Sequence, residues 1–200
     1  KIQGTGVDAP EMSVLGNGKT IADGDLTPTS EDSTDFGGVM VTGETESRRF
    51  TLHNSGNADL RLTGNPTVTL SGTHAADFTI TSMPNILIFA GGSTYFSVQF
   101  DPRGNGKRTA TINIKNNDLN ENPYNFNIQG TGTLTPQEMT VTGNGQEIVD
   151  GDTTPSLSDH TDFGDIAVNG SIQERTYRIY NLGGANLKLT GRSEEHTAEL

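Results

Sequence analysis

The chain has no cysteine and no tryptophan, and only 13 basic residues stand against 25 acidic ones among its 200. Without cysteine there are no disulfides, no thiolate nucleophiles and no cysteine-type zinc sites. The redox compartment stays open, because secreted chains also dispense with cysteine. The shortage of positive charge leaves a net charge of −12. Such an acidic surface repels nucleic-acid phosphates and anionic lipid, so no nucleic-acid partner is expected. No apolar run approaches the ~20 residues of a membrane helix. The longest, Ile86–Ala90, is strand-sized, and no membrane insertion is expected in this segment. Apolar residues make up 30% of the chain, or about 42% with the 25 glycines, slightly under the ~45–50% of ordinary globular chains. That suits one thin sandwich core.

What the chain has in plenty is repetition. Glu11–Gly64 returns, about half identical, as Glu138–Gly191, an offset of 127 residues (138 − 11). Gly16-Asn17-Gly18, Asp23-Gly24-Asp25, Thr27-Pro28 and Thr34-Asp35-Phe36-Gly37 all recur, as do Asn54, Gly56 and Leu62-Thr63-Gly64. A period far beyond the ~20–50 residues of solenoid units means whole domains in tandem. Lys1–Gly6 mirrors Asn127–Gly132, so residues 1–9 read as the last strand and linker of a preceding repeat. Residues 10–132 read as a complete repeat, 133–136 as a linker and 137–191 as the first half of a second repeat. The alignment ends at Gly191. Arg192–Leu200 matches a translated short-read sequencing adapter except that Ala198 replaces Ser, and it is set aside from fold reasoning as an artefact. The sequence is expected to run on past Gly191 with the rest of the second repeat. Without that tail, whose own net charge is −2, the charge is −10.

Within the complete repeat, short β-branched and aromatic runs alternate with polar residues between Gly, Asn, Asp and Pro punctuation. Arg49-Phe50-Thr51-Leu52-His53 places Phe50 and Leu52 on one face, the period-two mark of a half-buried strand. A polar stretch from Gly16 to Asp35 is pinned by Ile21 and Leu26, and Ile86–Phe89 reads as a strand. No window shows a helical recurrence of apolar residues. Some nine short strands predict an all-β protein of tandem immunoglobulin-like β-sandwich domains. The five-residue joint Gly132–Pro136 predicts a semi-rigid rod.

Thr34-Asp35-Phe36-Gly37, Phe50 through Leu60, Phe100-Asp101-Pro102 and Ile128-Gln129-Gly130-Thr131-Gly132 together resemble the bacterial choice-of-anchor D repeat. That repeat is an immunoglobulin-like module related to the abnormal-spindle/hydin (ASH-type) domains. The resemblance covers nearly all of 10–132 and the start of the next copy. It implies a large secreted or surface-anchored bacterial protein, an extracellular location and no enzymatic activity.

Candidates for chemistry are few. Asp23, Asp25 and their echoes Asp150 and Asp152 flank a glycine in an acidic loop, and calcium takes six to eight such oxygens. The spacing is not that of an EF-hand, since position twelve from Asp23 is Thr34. The competing reading is turn formation through Asx hydrogen bonds and a positive-φ glycine. Asp118, Asn120, Glu121 and Asn122 form a second oxygen-rich loop with the same two readings. Gly16-Asn17-Gly18-Lys19-Thr20 lacks the first glycine of a phosphate loop, Ser13 standing in its place. His53 becomes Tyr180 in the second copy, which disqualifies it as a ligand or base. Asn169-Gly170-Ser171 fits a glycosylation sequon, and Tyr95, Phe96 or Tyr124 could offer a glycan-stacking shelf if exposed. No catalytic residue and no resident cofactor are expected, calcium aside. The expected role is a non-catalytic extracellular spacer with a part in adhesion, whose partners are neighbouring repeats and a protein or glycan surface ligand. A binding module, an accessory domain of a secreted hydrolase, and an intracellular scaffold are the alternatives.

Overall fold

Local sequence sets the first hairpin. Asn17 (φ 49°) and Gly18 (φ 74°) both take left-handed conformations, giving the two-residue turn whose twist matches paired strands. In the computed structural model, which describes residues 8–168, 170 and 172–190, this turn joins β1 (Met12–Gly16) to β2 (Lys19–Ile21). The preceding-repeat strand expected at 1–7, the sequon residues Asn169 and Ser171, and the tail 192–200 lie outside the described residues.

Nine further strands complete the first unit: β3 (Asp35–Met40), β4 (Glu46–Asn54), β5 (Leu60–Arg61), β6 (Val68–Ser71), β7 (Phe78–Ser82), β8 (Leu87–Ile88), β9 (Ser93–Phe100), β10 (Gly106–Ile114) and β11 (Tyr124–Thr133). One sheet has the order β2-β1-β4-β9-β7 and the other β3-β11-β10-β6, with β5 and β8 forming a short ribbon. Pairings are antiparallel except β3 on β11, which is parallel. The only helical turn among the described residues is the 3-10 turn Ala75–Asp77. This is the all-β immunoglobulin-like sandwich that the alternation predicts.

The core lies between the sheets because inward positions alternate with polar outward ones. Phe50, Leu52, Phe96, Val98, Ile112 and Phe126 are all fully buried, each contributing roughly 1.5–3 kcal/mol by leaving water. Phe50 stacks on Phe96 at 5.3 Å and meets Phe126 of the opposite sheet at 5.5 Å. A second cluster joins Phe36 to Phe78 at 5.6 Å and to Phe100 at 5.9 Å. Gly130 lies under it, where a Cβ would come within 2.7 Å of the Phe100 ring atom Cδ1.

Two expectations change. Ile21 is buried, but Leu26 is 71% exposed and pins nothing. The loop is anchored instead by backbone bonds at its neighbours, Gly24 N–H to the Asn125 carbonyl at 2.7 Å and Asn127 N–H to the Asp25 carbonyl at 2.8 Å. Of the run 86–89, only Leu87 and Ile88 form strand, while Ile86 and Phe89 face solvent. A short ribbon against the core has one buried side, so a continuous apolar run cannot all turn inward.

A second compact unit begins at Thr135. Its β12 (Met139–Gly143), β13 (Gln146–Ile148) and β14 (Tyr177–Asn181) form a sheet in the order β13-β12-β14, matching β2-β1-β4 of the first unit. Asn144 (φ 50°) and Gly145 (φ 76°) repeat the hairpin turn. Met139 is 51% and Phe163 43% exposed, whereas their counterparts Met12 and Phe36 are buried. The strands that cover this face in the first unit, β10 and β11, have no counterpart among the described residues.

Candidate functional site

The acidic loop after β2 was the strongest candidate for chemistry, and the structure gives its carboxylates local tasks. Asp23 Oδ1 accepts the Asn125 N–H at 2.7 Å, tying the loop to β11. Asp25 Oδ1 accepts the Thr27 N–H at 2.8 Å and the Thr27 hydroxyl at 2.7 Å. Asp32 and Asp35 do the same for Thr34 at 3.0 Å and Gly37 at 2.8 Å. The bonds of Asp25, Asp32 and Asp35 are Asx turns, a side-chain oxygen serving the backbone two residues on. The second unit repeats all three: Asp152 with Thr154 at 2.8 Å, Asp159 with Thr161 at 2.9 Å, Asp162 with Gly164 at 2.8 Å. The Thr154 and Thr161 donors hold the Asp152 and Asp159 carboxyls below the usual carboxylate range. Asp150 accepts no hydrogen bond from the described residues. Among them, no three His, Asp or Glu side chains are grouped to hold a metal ion.

The β10–β11 loop is the second acidic locus. Asn116 and Asp118 are buried, and Asp118 Oδ2 accepts the Met12 N–H at 2.9 Å. Glu121 sits beside them with its Oε2 buried and unpartnered. Burial first, then the charges of Glu11, Asp118 and Asp23, push its pKa up to about 7. Tyr124 donates its buried hydroxyl to the Ile21 carbonyl. Burial and the Glu121 charge push that phenol up to about 12, so it stays neutral.

This arrangement gives a signed pH dependence. Below pH ~4.5 Glu121 is protonated folded and unfolded alike, and it costs nothing. Between ~4.5 and ~7 the unfolded chain releases the proton while the folded one keeps it, so stability falls as pH rises and stays reduced above. Discounted for solvent screening, the penalty is about 1 kcal/mol. Glu121→Gln is expected to raise the unfolding midpoint at pH 8 and leave it unchanged at pH 4. Equal effects at both pH values would contradict the assignment.

The histidines do not make a catalytic pair. His53 Nδ1 lies 3.0 Å from both the Gly92 carbonyl and Ser93 Oγ. The carbonyl requires an N–H there, so this nitrogen cannot also accept the serine proton as a base must. His74 Nδ1 accepts the Thr109 N–H at 3.1 Å. In the second unit, a cleft of about 400 Å³ is lined by Thr142, Asn144, His160, Glu174, Arg178 and Tyr180. No hydrogen bond links His160, Glu174 and Arg178 to one another, so nothing orients an acid–base pair. Phe96 and Tyr124 are buried and offer no shelf; Tyr95 is 52% exposed, with the Arg49 guanidinium 4.9 Å from its ring centre.

Two polar centres escape a reading of the sequence by motif. Asn54 is a buried four-bond hub, and Asp77 is a buried carboxylate beside Arg108. Asn54 had a signal, its recurrence as Asn181. Asp77 lies outside the repeated half and had none.

Fold and loops together define an immunoglobulin-like β-sandwich module whose repeated polar residues serve loop architecture. The chain belongs to the HYDIN/CFA65/VesB-like, Ig-like domain family, which it matches over residues 29–131, just over half its length. It is similar to a solved protein of unknown function from Porphyromonas gingivalis W83, with 22% identity over 64% of this chain and 49% of that one (TM-score 0.45). It is also similar to the ASH/PapD-like domain 7 of human CEP192, with 20% identity over 50% of this chain and 79% of that one (TM-score 0.37). A third likeness is to the Vibrio cholerae VesB protease, with 15% identity over 48% and 29% (TM-score 0.35). The chain spans about half the length of the Porphyromonas protein. No curated protein matches it.

Proposed function

We propose that the chain is a stretch of non-catalytic extracellular repeats, of the choice-of-anchor D type within its family, that space a functional part of a bacterial protein from the cell surface. The observation that carries this reading is the recurrence, 127 residues on, of the same hairpin and the same three Asx turns. What the sequence repeats is scaffold, and among the described residues no metal cluster recurs with it. The long antiparallel pairing of β10 with β11, from Gly106↔Gly132 to Ile114↔Tyr124, lends such a module resistance to extension. Single-molecule pulling on the whole chain should therefore show one abrupt event releasing roughly 400 Å, the reach of residues 10–132 at ~3.4 Å each. Gradual lengthening without a discrete event would refute the spacer. A second reading, an accessory domain beside a secreted hydrolase, draws on the family's VesB member, whose solved structure is named as a protease.

The spacer role requires no calcium. Asp23, Asp25 and Asp152 each accept donors that hold their loops without a cation, and among the described residues no three acidic or histidine side chains are grouped to hold a metal ion. Millimolar calcium is expected to leave the melting temperature of the chain unchanged. A rise reversed by chelator would restore these residues as ligands.

A further inference from the structure

We infer that the outward face of β6, β10 and β11 binds a hydroxyl-rich glycan, and that the pocket at its edge takes an acidic sugar. The register lays out two rows across three strands, Thr69–Asn113–Asn125 and Ser71–Thr111–Asn127. Every member is an amide or a hydroxyl. No acidic residue occurs in the three strands, although the chain as a whole carries 25. Lateral bonds orient the groups: the Thr111 hydroxyl donates to Asn127 Oδ1 at 2.8 Å, and Asn113 Nδ2 donates to Ser71 Oγ at 3.0 Å. Asn113 donates its second N–H to the Thr111 carbonyl at 3.2 Å, and Asn125 one of its own to the Pro123 carbonyl at 3.2 Å. An amide has two N–H donors and two acceptor lone pairs, so Asn127 Nδ2 and the Asn113 and Asn125 oxygens are left for a ligand. Sugar hydroxyls both donate and accept, and they match this mixture of free amide donors and free oxygen acceptors.

At the β6 edge the Thr63–Thr67 turn closes a pocket of about 200 Å³ with Thr69, Asn113 and Lys115. This is below the ~300–1,000 Å³ of drug-sized sites and suits one sugar ring. The pocket is held open by backbone: Thr63 N–H donates to the Lys115 carbonyl at 2.8 Å, and a Cβ on Gly64 would come within 2.7 Å of the Pro66 carbonyl. Lys115 forms no ion pair with the described residues. In so acidic a molecule this unpaired ammonium at the pocket calls for a carboxylate, as a point charge that accepts many geometries. The face lacks the aromatic and arginine anchors of protein hot spots and the stacking platforms of single-stranded nucleic acid. The same lack of stacking sets the expected affinity near ~1 mM. This site lies beyond the spacer role and stands or falls apart from it, since pulling reads the fold and titration reads the face.

The test is an NMR amide-shift titration of the full chain with trigalacturonate and, separately, with neutral maltotriose. Shifts should cluster at Thr63–Ser71, Thr111–Lys115 and Asn125–Asn127, with the acidic trisaccharide about tenfold tighter at low salt. Lys115→Gln should erase that preference and leave neutral binding intact. Thr111→Val, isosteric and suited to a strand, should weaken both several-fold while preserving the spectrum of the core. Scattered shifts, equal affinities in the parent chain, an unchanged preference in Lys115→Gln, or association of the chain through this face would each overturn the assignment.

Discussion

Replacing Asn54 by alanine is expected to lower the unfolding free energy of the first unit by about 3–4 kcal/mol. The side chain is fully buried where β4 ends. Its Oδ1 accepts the Glu11 N–H at 3.2 Å and the Gly56 N–H at 3.1 Å. Its Nδ2 donates to the Ala58 carbonyl at 2.8 Å and the Ile88 carbonyl at 3.0 Å. Alanine leaves several of these backbone groups out of water without partners, and each orphan costs roughly 1–3 kcal/mol, less than additively. The molecule supplies its own control. Asn181 makes the equivalent bonds to Glu138, Gly183 and Ala185, but it is exposed, so water can replace it. Asn181→Ala should cost under about 1 kcal/mol. Urea unfolding of both variants, read as a midpoint shift at constant slope, decides the matter. Similar losses at the two sites would show that burial does not set the value of this hub.

Asp77→Ala is the second large loss, about 3 kcal/mol or more. Asp77 is 4% exposed at the 3-10 turn, and its Oδ2 lies 3.5 Å from Arg108 Nε. Its Oδ1 accepts the Arg103 N–H at 3.3 Å. Arg108 reaches further, to the Gly104 carbonyl at 2.9 Å and the Asn105 carbonyl at 3.1 Å, so the pair clamps the β9–β10 turn to the start of β7. Removing the carboxylate strands a mostly buried guanidinium, whereas removing both partners does not. The pair Asp77→Leu with Arg108→Met should therefore lose less than Asp77→Ala alone. A double-mutant cycle measures the difference. Losses that simply add would mean the two side chains are not coupled.

The contrast between these residues explains what could be read from sequence. Phe50 and Leu52 are legible because period two is a local property, and the structure buries both. The Asx turns are legible because donor and acceptor stand two residues apart. Leu26 misled because an apolar residue in a polar loop has no local pattern to show its direction. Ile86–Phe89 misled because a run of apolar residues does not reveal whether one face or both will be covered. Asp77 was illegible as a special residue, and Glu121, visible as part of an oxygen-rich loop, gave no sign of its burial or raised pKa. Their environments are assembled from Arg103 and Arg108 in one case and from Glu11, Asp23 and Asp118 in the other, and no spacing rule links such partners.

The parallel seam of β3 with β11 bears on how such a chain reaches its fold. Asp35 pairs with Gln129, and Gln129 Nε2 donates to Asp35 Oδ2 across a sequence separation of 94 residues. Everything before β11 must wait, because the strand that closes the second sheet is the last one synthesised. Closure over so long a loop makes for slow folding. A neighbouring repeat offers a near-copy of the same opening segment, with Asp162-Phe163-Gly164 in the place of Asp35-Phe36-Gly37. During synthesis β11 emerges before that copy exists and meets its own dock alone; when the whole chain refolds, both docks are present and can compete for it. On refolding, the two docks differ at the paired positions Gly38-Val39-Met40, which read Asp165-Ile166-Ala167 in the copy, so the order in which strands form and these three differences together set the correct partner.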